Sequence, residues 1–64
     1  MEIFRTFGNA QEARDYRHEH GTGGWIFVPE DGQRVILFPP CMTASGVFHH
    51  AFAKGRSGQL IGAQ

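Results

Sequence analysis

Four histidines, one cysteine and six carboxylates are the side chains of this 64-residue chain with the most obvious capacity for chemistry. A zinc site wants about four ligands converging tetrahedrally. His18 and His20 are spaced i, i+2, which on a helix turns their rings nearly opposite ways, and the adjacent His49 and His50 diverge by about 100°. Neither pair chelates alone; a metal would need one histidine from each pair to meet Cys41 in space. Cys41 with His49 or His50 would make a nucleophile–base pair only with a third group to orient the imidazole. No acidic residue follows Asp31 to serve as one. The reading is a small apolar cysteine packed after Pro40, and surface or half-buried histidines. Neither a catalytic set nor a cofactor is expected, so the chain reads as a non-enzyme, with a His/Cys metal protein as a second alternative.

The carboxylates fit ordinary roles. Glu30 and Asp31 fall in a turn, where they serve turn geometry and solubility. Glu12, Asp15 and Glu19 lie beside Arg14 and Arg17 at helical spacing and read as solvated partners. The glycine run at 21–24 precedes a strand instead of opening a helix, so it has neither the Rossmann nor the P-loop context.

Charge is the stronger signal. Residues 1–33 hold all six acids against three Arg, whereas residues 34–64 hold Arg34, Lys54 and Arg56 and no acid. A formal net charge of zero thus conceals two oppositely charged halves, and such asymmetry concerns what a protein touches. Two features of the basic half invite anions. The amides of residues 44–46 with the hydroxyls of Thr43 and Ser45 could seat an anion at a helix start that includes Gly46; simple capping is the plainer reading. Residues 54–58, KGRSG, form a basic loop with two glycines, whose plainer role is to complement the negative end of a helix. Magnitude limits any nucleic-acid role. Three cations on phosphates give a salt slope near −2.7, so raising salt from about 50 to about 200 mM costs about 40-fold in affinity.

The elements that position these residues follow from pattern. Residues 2–7 alternate as a short edge strand, with Ile3 and Phe7 flanking Arg5 and with Phe4 and Thr6 on the other side. Asn9 is a helix N-cap with Glu12 three residues on, and Gly21 is the stop. On that helix Ala10, Ala13, Tyr16 and His20 share the inner side, while Arg14, Asp15, Arg17 and Glu19 face outward. Residues 25–28, WIFV, and 34–38, RVILF, flank an Asp31-Gly32 turn and form a central hairpin. Both runs are continuously apolar, so both sheet faces must be covered. The two helices would cover one face and a partner the other. Pro39-Pro40 ends the hairpin. Thr43 starts a second helix whose apolar stripe is Val47, Phe48, Ala51 and Phe52, with Gly55 as the stop. A competing reading makes 46–53 a strand paired with 59–61. The expected fold is a single α+β domain over 1–64, β-α-β-β-α, with an irregular tail.

A chain of this length buries only about 60% of its unfolded surface, so a second copy or a partner is a ready way to complete the core. One cysteine fits a reducing compartment. No stretch approaches the roughly 20 apolar residues of a membrane span, and MEIFRTF has no signal-peptide core. The expectation is a cytoplasmic protein without a membrane partner.

The order helix–GTGGWIF–DG–ILFPP–MTAS resembles small proteins encoded by bacteriophages, prophages and other mobile elements. That resemblance rests on residues 21–46 and the tiny single-domain format. It implies an accessory protein that binds a host or phage macromolecule; anti-defence inhibitors such as anti-CRISPR proteins are one such group. Charge and resemblance together lead to a protein that docks on another protein, with a nucleic-acid-binding module using residues 43–58 as the alternative. Arg34, Lys54 and Arg56 would form a basic patch, Glu12, Asp15 and Glu19 an acidic face, and Trp25 an aromatic anchor if exposed.

Overall fold

The computed structural model describes residues 5–62. The elements run β1 (Arg5–Phe7), α1 (Ala10–His20), β2 (Trp25–Pro29), β3 (Val35–Phe38), α2 (Ala44–Ala53) and β4 (Gly58–Ile61). The strands make one antiparallel sheet in the order β1-β3-β2-β4. This is the α+β domain that the pattern predicts, with α2 helical over 44–53. The expected irregular tail is instead a fourth strand. Only Leu60 and Ile61 carry an apolar signal there, and the segment becomes a strand because β2 offers it an open edge. The part of the first strand expected at 2–4 lies outside the described residues.

The central hairpin forms as its turn chemistry dictates. The Gln33 amide donates to Asp31 Oδ1 at 2.9 Å, and Gly32 takes φ 78°. Side chains alternate across the pleat, so consecutive residues of β2 and β3 enter different cores. Phe27, Ile36 and Phe38 pack with Val47 and Ala51 of α2. Ile26, Val35 and Leu37 pack with Ala13 of α1. The helices therefore cover opposite faces, where a single shared face was expected. The reason is steric: each face of the two-stranded centre is about one helix wide, and either face left open would hold an apolar row in water. The result is three layers, helix on sheet on helix.

Local signals fix both helices. Asn9 Oδ1 accepts from the Glu12 amide at 2.9 Å, the Glu12 carboxylate reaches back to the Gly8 amide at 3.2 Å, and Gly21 ends α1 at φ 61°. Thr43 caps α2. Three expectations about helix faces fail: His20, assigned to the inner side of α1, is exposed, and two further residues exchange sides. Phe52, assigned to the apolar stripe, is 64% exposed, whereas Arg17, assigned to the outside, is only 8% exposed. Arg17 Nη1 donates to the Gly24 carbonyl at 3.0 Å and to the Gly62 carbonyl at 2.6 Å. Its long stem covers the α1 face while its head ties the start of β2 to the end of β4.

Close backbone approach explains part of the glycine run. Gly24 is buried at φ 112°, and a Cβ there would strike the Phe38 carbonyl oxygen. The turn is thus a tight junction rather than a loose connection. We expect Gly24→Ala to lower unfolding free energy by about 2–3 kcal/mol, read from the midpoint of a urea titration.

Candidate functional site

α2 covers its face of the sheet incompletely. Between its C-terminal half and the β1–β3 side lies a cleft of about 200 Å³. Its floor is apolar, from Phe27, Ile36, Phe38 and Ala51, and its rim is polar, from Thr6, His50, Lys54 and Arg56. His50 stands edge-on to Phe38, ring centroids 5.5 Å apart.

Chain reversal after α2 places the cations. Gly55 adopts φ 71°, and the amides of Lys54 and Arg56 both donate to the Ala51 carbonyl, at 3.0 and 2.9 Å. That turn folds Arg56 back beside the cleft. Arg34, just before β3, joins it from the sheet: its Nε donates to the Thr6 hydroxyl at 3.2 Å and its Nη2 to the Thr6 carbonyl at 3.4 Å. Arg56 Nη2 reaches the Arg34 carbonyl at 3.4 Å, while Arg56 Nε is buried without an acceptor among the described residues. Lys54 and Arg56 thus line one apolar-floored cleft, and Arg34, distant from them in sequence, stands next to it through its bonds to Thr6 and Arg56. Carboxylates stay outside it. Glu30 and Asp31 line a separate shallow hollow with Gly55 and Ser57, on the other side of the basic loop.

The acidic face on α1 is real but partly occupied by its own helix. Glu12, Asp15 and Glu19 are exposed. Glu12 serves the cap, and Asp15 Oδ1 accepts from Gln11 Nε2 at 2.9 Å. Arg14 is interspersed among them, and the other α1 arginine has turned inward. Since α1 and α2 lie on opposite faces, the acidic and basic groups point away from each other.

Other candidates take structural roles. Trp25 is half-buried against the α2-side core, and its indole Nε1 donates to the Met42 carbonyl at 2.7 Å. It pins the loop before α2, and among the described residues the large exposed aromatic is Phe52. Thr43 Oγ1 accepts from the Gly46 amide at 3.0 Å and lies 3.4 Å from Ser45 Oγ, so the amide expected to seat an anion already holds the helix cap. Cys41 is exposed rather than packed, His18 and His49 are exposed, and His20 stacks on Tyr16 at 4.1 Å. Among the described residues no three of His, Cys, Asp and Glu gather to hold a metal, and no helix is long and apolar enough to cross a membrane.

Sequence reasoning missed the cleft and Phe52. An exposed phenylalanine on an apolar stripe has no sequence signature, because the stripe does not say how wide the surface beneath it is. No known protein family, characterised protein or solved structure matches this chain.

The two half-hidden arginines differ in what they hold. Arg17 satisfies two carbonyls, so Arg17→Met is expected to destabilise by about 1–3 kcal/mol. Arg56 leaves a buried donor unpaired, so Arg56→Met is expected to be neutral or stabilising by up to about 1 kcal/mol. Paired urea denaturation of the two variants checks both signs.

Proposed function

We propose that this chain is a small non-enzymatic binding protein that docks on an acidic surface of another protein through its α2 face. The observation that carries this reading is an apolar-floored cleft rimmed by Lys54 and Arg56, with Arg34 held next to it through Thr6 and Arg56. Phe52, 64% exposed on the opposite flank of the same helix, supplies a separate aromatic contact on the α2 face. Aromatic and arginine side chains dominate the energetics of protein interfaces. Electrostatic complementarity fixes orientation and raises the association rate. An acidic segment carrying an apolar side chain matches that surface: the side chain enters the cleft and the carboxylates meet its rim. In the setting that the sequence resemblance implies, the partner is a host or phage protein, the site of action is the host cytoplasm, and the effect is inhibition of that partner, as with anti-defence proteins.

Cross-linking in bacterial lysate at low salt, followed by identification of the captured species, tests the reading. One acidic partner is expected, lost with the triple variant Arg34→Glu, Lys54→Glu, Arg56→Glu and weakened at least tenfold by Phe52→Ser. A partner retained by both variants refutes docking through α2. Titration with single- and double-stranded oligonucleotides at two salt concentrations separates the alternative. Binding with a slope near −2.7 that disappears in Arg56→Glu would transfer the site to nucleic acid.

A further inference from the structure

The two edges of the sheet are guarded very differently. In an antiparallel ladder, residues that exchange hydrogen bonds with the neighbouring strand alternate with residues that do not. The Glu30 amide donates to the Ser57 carbonyl at 2.8 Å, which continues the β2–β4 register by one pair. Counting from that bond, Ser57, Gln59 and Ile61 turn their backbone groups toward β2, and Gly58 and Leu60 turn theirs outward. Pro29, which has no amide hydrogen, falls opposite Gly58 at a non-bonded pair, as the count requires. The same count carried through β3 points the Thr6 backbone outward on β1, where Arg34 caps its carbonyl. β1 also carries a charge, Arg5.

β4 has none of these defences. Gly58–Ile61 contains no charge, and among the described residues no hydrogen bond reaches Gly58 or Leu60 from the open side. Leu60 and Ile61 are only half-buried, one against each core. Phe48 packs on the α2-side core with Leu60, and Phe52 stacks on Phe48 with centroids 6.4 Å apart. At about 100° per residue these two phenylalanines lie on the flank of α2 opposite His50, away from the basic cleft. Unpaired polar backbone and incompletely covered apolar side chains thus coincide at one edge, the condition that natural sheets otherwise suppress with charge, proline or brevity.

We propose that β4 pairs with β4 of a second copy of this chain, antiparallel about a two-fold axis at Gln59. Self-pairing is favoured because the strand is neutral and offers no charge by which to select a charged partner. The register is set by what is free. Gly58 of each copy faces Leu60 of the other, and their outward amides and carbonyls bond reciprocally. Gly62 is excluded from the ladder because its carbonyl already serves Arg17. Each Leu60 side chain then lies over the partner's Gly58, which has none. The two four-stranded sheets become one continuous sheet. Residues directly opposite in a ladder share a face, so both α2 helices stand on the same side. The two basic clefts, each over β3, are then about five strand spacings apart, roughly 24 Å. This pairing does not depend on the docking proposal; only the bivalency it would confer on docking does.

The full chain carrying Cys41→Ser and Gln59→Cys tests the register, since a non-bonded antiparallel pair brings the two Cα atoms to about 4.5 Å, within disulfide range. Mild oxidation is expected to link the copies through position 59. Sedimentation of the unmodified chain is expected to give twice the 7.1 kDa of one copy. Phe52→Glu, on an exposed residue, should weaken dimerisation at least tenfold with an unchanged far-UV spectrum. A single-chain mass at millimolar concentration overturns the proposal. A dimer that fails to cross-link at position 59, or a mass that grows without limit, also overturns it. None of these measurements involves another protein, so such a failure would leave the docking reading standing.

Discussion

Ile26 and Phe27 are neighbours in the chain, point to opposite faces of the sheet, and are both wholly removed from water. Phe38 is equally buried, and Val35, Ile36 and Leu37 nearly so. Full burial of one such side chain is worth about 1.5–3 kcal/mol, so exposing either face of the β2–β3 ladder would cost more than a domain this small can spare. The rest of the architecture answers that requirement. One helix lies on each face, one short strand lies on each flank, and the aromatic residues are divided between two thin cores.

Two cores in 64 residues leave little redundancy, which gives Arg17 its importance. It is a buried cation whose guanidinium is stabilised by the carbonyls of Gly24 and Gly62. These groups belong to the start of β2 and the exit of β4, so a single guanidinium ties α1 to two adjacent strands. Arg56 shows the contrary situation on the other face. Its buried Nε has no acceptor among the described residues, and it shares a cleft rim with Lys54. A polar group held without a partner is costly to the fold, so the two arginines act on stability with opposite sign.

The three-layer arrangement also gives the charge asymmetry a direction. The acids of α1 and the cations around α2 stand on opposite sides of one sheet, about two layers apart. The polarity written along the chain becomes a polarity across the molecule.

Much of this was legible in sequence because it is local. Asn9 and Glu12, Gly21, Asp31-Gly32, Pro39-Pro40 and Thr43 each specify a cap, a turn or a stop through their own backbone chemistry, and the continuous apolar runs at 25–28 and 35–38 require cover on both faces. Charge segregation and the grouping of Arg34, Lys54 and Arg56 as basic candidates were likewise readable. Other features depended on neighbours distant in the chain. β4 exists because β2 has a free edge, Arg17 turns inward because two carbonyls wait there, and Phe52 stays outside because the sheet beneath α2 is too narrow. The sequence by itself determined the elements and the sign of each half. Only tertiary structure decided which helix took which face and brought Arg34 next to the cleft of Lys54 and Arg56, because burial and hydrogen-bond satisfaction are settled between elements, not within them.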